Sequence, residues 1–189
     1  MSSANISRVL LVVDVQVNML VDPPEGVPSA AMIRANISQI IEQARSANPP
    51  PLIVHVRNTG DKGEPDEPNT PGWQLVFPPL AHEPVIDKPE CNAFAGTKLG
   101  DLFTPNADIV VIGMQSDWCI RATCIGGLQR GNKVMLVKKA HATYDGRPEK
   151  LGGVAKRASS IEAEIETELK EAGVISVEMS DLSSIWAKV

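Results

Sequence analysis

Short apolar runs alternate along the chain with longer segments in which apolar residues recur every three or four positions. The runs predict six strands, over 9–13, 52–56, 85–87, 108–112, 134–137 and 174–177. The periodic segments predict helices over about 29–44, 97–103, 116–130 and 154–172. The first run, from Val9 to Val13, is apolar at every position, which is typical of a strand covered on both faces.

This alternation predicts an α/β fold: a doubly wound, mainly parallel six-stranded sheet with helices on both faces, a Rossmann-like three-layer sandwich. The length of 189 residues suits a single domain spanning 1–189. One segment interrupts the alternation, because 58–84 is rich in proline and glycine and shows no sustained period. We expect a long surface loop there, and loops of that length frequently act as lids.

Composition and charge exclude several classes of protein. The 18 Lys and Arg against 23 Asp and Glu give a net charge of −5, which argues against a nucleic-acid or anionic-membrane partner. No stretch approaches the ~18 uninterrupted apolar residues that a membrane span requires, so we expect a cytoplasmic protein acting on a small molecule. The odd number of cysteines, Cys91, Cys119 and Cys124, argues against a disulfide framework and predicts reduced thiols.

Reactive side chains follow three of the predicted strands. Asp14 comes directly after the first, Lys88 directly after the third, and Cys119 a few residues after the fourth. Parallel sheets bind ligands beyond the carboxyl ends of their strands, so we expect these three residues to meet at one edge. Cys119 is predicted in the first turn of a helix, where unpaired N–H groups favour a thiolate. With a carboxylate to move protons and an ammonium nearby, the trio has the parts of an activated nucleophile, and the N–H groups of Gln115 and Cys119 are candidates to hold an oxyanion.

Each of these residues also has a structural interpretation. A cysteine near a helix start is commonly a small buried hydrophobe, an aspartate after a strand can cap a helix, and a lysine there is usually solvated. Their shared edge favours the chemical interpretation. Cys124 is interpreted as a core residue and Cys91 as a passive thiol close to the site.

The chain lacks the motifs of several enzyme classes. No G-x-G-x-x-G follows the first strand, and no G-x-x-x-x-G-K-[ST] or G-x-S-x-G occurs, which disfavours dinucleotide, nucleoside triphosphate and serine-hydrolase sites. The histidines show no metal-ligand spacing. We therefore expect neither a cofactor nor a metal.

Three separated segments resemble the isochorismatase-like cysteine hydrolase family. They are LLVVDVQ at 10–16, IDK at 86–88 with AFAGTKL at 93–99, and VIGMQSDWCIRAT at 111–123, and HATYD at 141–145 fits as well. The resemblance implies a catalytic triad of Asp14, Lys88 and Cys119 and a non-proline cis peptide at Met114–Gln115. In similar enzymes the cysteine attacks an amide or carbamoyl carbon, ammonia or an amine leaves, and water releases the thioester.

The substrate class is narrowed by departures from the family's patterns. The Asp and His metal cluster of nicotinamidases is missing from HVRNTG at 55–60, and Cys119 favours C–N hydrolysis over the vinyl-ether chemistry of members that work without this cysteine. The leading hypothesis is a cofactor-free hydrolase that cleaves a C–N bond of a small amide, carbamoyl or ureido compound through a Cys thioester. Two alternatives stay open: an isochorismatase-type vinyl-ether hydrolase using Asp14 as the acid, and a non-catalytic small-molecule binder or thiol sensor on the same fold.

Further candidates concern the substrate pocket. Gln16 in the first motif, Trp118 beside the nucleophile and Trp73 in the proline-rich loop are candidate substrate-binding residues, although Trp73 is equally well explained as a loop anchor. Arg57 is predicted either to pair with a substrate carboxylate or to form a salt bridge.

The state of association stays open at this level. Similar enzymes associate through helices flanking the sheet, so a homo-oligomer is a candidate. The tail at 182–189, with an exposed-looking Trp186, is predicted either to join such an interface or to dock on its own subunit.

Overall fold

Six strands form one sheet in the computed structural model, which describes residues 6–146 and 156–187. They are β1 (Arg8–Val13), β2 (Leu52–Asn58), β3 (Val85–Lys88), β4 (Asp108–Met114), β5 (Lys133–Ala142) and β6 (Ile175–Val177). All neighbours pair in parallel, and the strand order is β3-β2-β1-β4-β5-β6. The predicted α/β class and its parallel sheet are confirmed.

In the described parts of the chain, five α-helices connect or follow the strands. They are α1 (Val17–Leu20), α2 (Ala30–Ser46), α3 (Arg121–Gln129), α4 (Ala158–Glu171) and α5 (Leu182–Ala187). A π-helical turn, Ser116–Ile120, leads directly into α3, and a 3₁₀ turn at Leu99–Asp101 replaces the short helix predicted over 97–103. The predicted start of the last long helix, at 154–155, lies outside the described residues. Across the described segments, no helix combines the length and the apolar character needed to cross a membrane.

Helices cover the sheet on both faces. Successive side chains of a strand point to opposite sides, so Leu10 packs on one face and Leu11 on the other. The core around Leu10 contains the apolar sides of α2 and α5, whereas the core around Leu11 contains those of α3 and α4. Every residue of β1 is buried, as its unbroken apolar run predicts. The arrangement confirms the three-layer sandwich.

The C-terminal tail docks on its own chain. Trp186 in α5 is only 3% exposed and packs into the core beside α2, and its backbone carbonyl accepts a hydrogen bond from Arg8. The prediction of an exposed Trp186 is therefore wrong, because α5 packs against α2 and buries the ring of Trp186 between them. A homo-oligomer stays a prediction.

The segment 59–84 is irregular in structure but is tied to the start of the chain. Val76 donates a backbone hydrogen bond to Val15 at 3.0 Å, and Asn18 donates one to Gly72 at 3.1 Å. These bonds hold the segment against the residues that follow β1, where the candidate site begins.

The end of this segment is anchored by the buried carboxylate of Glu83. It accepts two hydrogen bonds from Arg45, both at 2.8 Å, and lies 3.0 Å from Nε2 of His55. Burial would raise the pKa of Glu83, but the hydrogen bonds from Arg45 and the Leu80 amide outweigh burial and lower this pKa to about 2. The carboxylate is therefore more stable in the folded chain than in the unfolded one.

We expect Glu83→Gln to lower the free energy of unfolding at neutral pH by about 2–3 kcal/mol, because Arg45 then loses its charged partner. The folded pKa lies below the ordinary value of about 4.3, so the stabilisation is complete above that pH and declines as the pH falls toward 2. Urea unfolding at pH 7 and pH 3 measures this. The difference between the wild type and Glu83→Gln should shrink at pH 3, and the exposed control Glu171→Gln should show no such change. An equal difference at both pH values would contradict the assignment.

Candidate active site

The site lies at the switch point of the sheet. β1 and β4 are neighbours at its centre, and from them the chain proceeds toward opposite edges. Asp14 follows β1, and Cys119 lies on the π-helical turn after β4. Lys88 is the last residue of β3, at the edge of the sheet, and its side chain extends past β2 toward Asp14.

The Lys88 ammonium connects the three residues of the expected triad. Its Nζ lies 2.9 Å from Oδ2 of Asp14 and donates a hydrogen bond to Sγ of Cys119 at 3.2 Å. A further hydrogen bond goes to Oδ1 of Asn58 at 3.0 Å. Lys88 and Asp14 are fully buried, so the ammonium is held by two hydrogen bonds and one ion pair inside the protein. The fold thus brings together the three residues that the motifs single out.

Asn58, the last residue of β2, is a member of the site that sequence reasoning missed. Its Nδ2 donates to Oδ2 of Asp66 at 2.7 Å, and its backbone N–H donates to Oε1 of Gln16 at 2.8 Å. These contacts fix the amide whose oxygen receives Lys88. The position of Asn58 in the sequence could have indicated its role, because it is the polar residue that ends β2, the strand between β3 and β1.

Gln16 and Trp73 lie behind the cavity rather than on its wall. Gln16 is fully buried, and its Nε2 donates to the carbonyl oxygens of Asn58 and Trp73, both at 3.2 Å. Trp73 stacks under the guanidinium of Arg57, whose Cζ lies 3.3 Å from the ring centroid. Arg57 also donates two hydrogen bonds to Asp87, at 2.7 and 3.1 Å. Of the two roles predicted for Arg57, the structure therefore shows the salt bridge. The structure therefore gives these residues a role in holding the loop.

A cavity of about 360 Å³ opens beside the thiol of Cys119. Gln115, Trp118 and Tyr144 form part of its wall and also line a neighbouring cavity of about 1040 Å³, so the two spaces meet at these residues. Trp118 is 55% exposed. Trp118 and Cys91 both line the cavity, and substrate binding by Trp118 stays a prediction.

The protonation state of Cys119 differs from the thiolate that the sequence predicts. Burial raises the pKa of Asp14 to about 6, against the opposing effect of Lys88. Burial, and after it the Asp14 carboxylate, raises the pKa of the Cys119 thiol, again against Lys88. Burial alone would lower the pKa of Lys88, but Asp14 and Cys119 outweigh it and the pKa is raised. At neutral pH the resting site therefore holds an ammonium, a carboxylate and a neutral thiol, because a second buried negative charge is disfavoured.

The backbone before the nucleophile has a special geometry. The Met114–Gln115 peptide bond is cis, as the resemblance implied. Gly113 has a φ of 124°, and a Cβ there would lie 1.9 Å from the carbonyl oxygen of Val13, so only glycine allows this close approach of β4 to β1. Gln115 and Cys119, whose N–H groups are the oxyanion candidates, both line the cavity.

The family model of the isochorismatase domain matches residues 8–158, a stretch that contains Asp14, Lys88 and Cys119. The chain belongs to the isochorismatase family. The family that the sequence motifs resemble is thus confirmed.

Two curated relatives are streptothricin hydrolases from Streptomyces noursei, 42% and 40% identical to this isochorismatase-family chain over 142 residues. Each match covers 73% of this chain but 55% and 50% of the relatives. The chain thus spans about half the length of these relatives. Their names and the family match support the predicted enzyme class, a hydrolase.

Solved structures show the same fold. An isochorismatase from Pseudomonas putida is 26% identical, with a TM-score of 0.81 and coverage of 94% of this chain and 91% of that chain. A cysteine hydrolase from Pseudomonas syringae pv. phaseolicola is 19% identical, with a TM-score of 0.84 and coverage of 97% and 93%. The second likeness concerns the fold alone.

Residues at the end of β5 and directly after it hold the π-helical turn in place. Ser116 Oγ lies 2.9 Å from Nδ1 of the buried His141, whose Nε2 is 3.2 Å from a carboxylate oxygen of Glu166. Thr143 Oγ1 donates to Asp117 at 2.5 Å. Both ring nitrogens of His141 therefore face protein partners, Ser116 and Glu166. Within 6–146 and 156–187, no group of three or more His, Cys, Asp or Glu side chains is arranged to hold a metal ion.

Proposed function

We propose that the protein is a hydrolase that cleaves a C–N bond of a small amide, carbamoyl or ureido compound through a thioester on Cys119. The observation that carries this proposal is the position of Lys88 Nζ, which contacts both the buried Asp14 and Cys119, a residue that lines a cavity. A buried carboxylate with a pKa of about 6 can accept and return a proton near neutral pH. A thiol, a proton acceptor and a fixed cation are the groups that acyl transfer requires.

The first half of the proposed reaction forms the thioester. The sulfur of Cys119 attacks the carbonyl carbon while its proton passes to the Asp14 carboxylate, and the C=O electron pair moves to the oxygen. The N–H groups of Gln115 and Cys119 hold this oxyanion. When the oxyanion collapses, the C–N bond breaks, Asp14 returns the proton to the leaving nitrogen, and ammonia or an amine departs.

The second half returns the free enzyme. Water attacks the thioester carbon and gives a proton to Asp14, and the same N–H groups hold the new oxyanion. Collapse breaks the C–S bond, the sulfur takes the proton back from Asp14, and a carboxylic or carbamic acid leaves. Lys88 stays protonated throughout, because its ammonium offsets the charge that moves between Asp14 and Cys119.

A panel of primary amides, N-carbamoyl amino acids, ureido compounds and streptothricin tests the proposal by ammonia or amine release and by intact-protein mass. We expect turnover of at least one compound and an acyl adduct on the peptide that contains Cys119. The variant Cys91→Ser, which changes the other cavity thiol, should still form the adduct at Cys119. Turnover of isochorismate alone, or an adduct on a residue other than Cys119, would contradict the proposal.

A further inference from the structure

Acidic and aromatic side chains surround the candidate nucleophile. Asp66 and Glu64 line the cavity of Cys119, and Trp118 and Tyr144 form the wall between this cavity and the larger one. The larger cavity adds Glu25, Asp117 and Asp145. The ligand therefore meets several carboxylates and two aromatic rings.

Asp66 is built into this wall. Its side chain is buried, with only 6% of the residue exposed, and its Oδ2 accepts the hydrogen bond from Asn58. Within the described parts of the chain, Oδ1 receives no hydrogen bond and lies beside Gly60, where an added Cβ would be 2.2 Å away. The charge of Asp66 is also felt across the cavity, because burial and then Asp66 raise the pKa of Tyr144.

The basic side chains close to the site are already committed. Lys88 forms an ion pair with Asp14 and donates hydrogen bonds to Cys119 and Asn58, and Arg57 is paired with Asp87. Among the described residues that line the two cavities there is neither a lysine nor an arginine. Among the described residues of these walls, no cationic side chain therefore compensates the acidic side chains or forms an ion pair with a carboxylate.

We propose that the cavity selects substrates that carry a positively charged group, an ammonium or a guanidinium, close to the bond that is cleaved, and that Asp66 determines this specificity. The cation pairs with the carboxylate of Asp66 and lies against the faces of Trp118 and Tyr144, which attract cations. A substrate carboxylate in the same place meets Asp66 and Glu64 and is rejected. This inference rests on the proposed function, since it assigns the substrate class of that site.

The test uses three thiol reagents with the same leaving group: aminoethyl methanethiosulfonate (cationic), sulfonatoethyl methanethiosulfonate (anionic) and methyl methanethiosulfonate (neutral). The sulfur of Cys119 attacks each reagent and forms a mixed disulfide, and methanesulfinate leaves. The thiol proton passes to Asp14 or to solvent. Peptide mass spectrometry separates the rate at Cys119 from that at Cys91. Rates are divided by those of 2-mercaptoethanol, which removes the intrinsic reactivity of each reagent.

At low ionic strength we expect the cationic reagent to modify Cys119 about tenfold faster than the anionic one, with the neutral reagent in between. Asp66→Asn keeps an oxygen for Asn58 and should reduce this ratio about threefold or more. Glu64→Gln, at an exposed position on the same wall, should reduce it less. Glu67→Gln removes a charge from the same loop outside the cavity and should leave the ratio unchanged.

Equal rates for the charged reagents, or a ratio that is unchanged in Asp66→Asn, would overturn the inference. An equal fall in Glu67→Gln would do the same, because the effect would then reflect net charge. If Asp66→Asn loses its folded circular dichroism spectrum, Glu64→Gln alone decides, and an unchanged ratio there overturns the inference. A Cys119 that reacts with none of the reagents while Cys91 reacts would instead contradict the proposed function.

Discussion

Replacing Cys119 by alanine should lower kcat/KM for an amide substrate by a factor of about 1000 or more. The reason is chemical, because without the sulfur no thioester forms and only the binding and oxyanion groups remain. Cys119→Ser should lose nearly as much, since a hydroxyl is harder to deprotonate than a thiol and Asp14, with a pKa of about 6, is a weak base for it. Steady-state release of ammonia measures both effects, and circular dichroism shows that the variants are folded.

A matched control for this experiment is Cys124→Ala. Cys124 is a fully buried core residue of α3 that does not line the cavity, and its replacement tests whether loss of any thiol suffices. We expect this variant to keep kcat/KM within about twofold, with a modest loss of stability. Full turnover of the amide by Cys119→Ala would exclude the covalent mechanism and indicate direct attack by water on the amide.

Asp14→Asn should reduce kcat/KM by a factor of about 100 to 10000, the contribution typical of a positioned general base. The amide keeps the size of the carboxylate but cannot accept the thiol proton. In the wild type, the rate at low substrate should rise with pH through an apparent pKa of about 6, because Asp14 is protonated and inactive below that pH. The residual activity of Asp14→Asn should not show this acid limb.

Measurement of kcat/KM from pH 4.5 to 8.5 in the wild type and Asp14→Asn tests this assignment. Asp87→Asn is the matched control, because Asp87 pairs with Arg57 and does not line the cavity. It should retain the acid limb at the wild-type position. An acid limb that persists unchanged in Asp14→Asn would assign the titration to another group and remove Asp14 from the role of base.

The ends of the strands were the most informative part of the sequence. Asp14, Lys88 and Cys119 each follow an apolar run, and a parallel sheet brings all carboxyl ends to the same edge. This rule alone placed three residues of the site close together, although they are distant in the chain. The hydrophobic pattern also predicted five of the six strands within two residues of their observed bounds, whereas β5 continues to Ala142, five residues beyond its predicted end.

Contacts made by irregular segments could not be predicted in the same way. The partnership of Asn58 with Asp66 depends on the path of the segment 59–84, which is set by long-range backbone bonds and has no periodic pattern. Trp186 lies in a helix of six residues, too short to show which face is buried. The neutral thiol of Cys119 also required the structure, because it depends on burial and on the proximity of Asp14.

The reach of Lys88 across the sheet has a consequence for the life of the chain. Asp14 and Cys119 are separated by more than a hundred positions, and the ammonium that joins them stands on the outermost strand, only four residues long. We therefore expect Cys119 to behave as an ordinary cysteine in a partly folded chain, because the three residues of the candidate site are not yet in contact. We expect the same dependence during unfolding, because detachment of β3 alone would remove Lys88 from Asp14 and Cys119 and should end the proposed activity before the rest of the sheet unfolds.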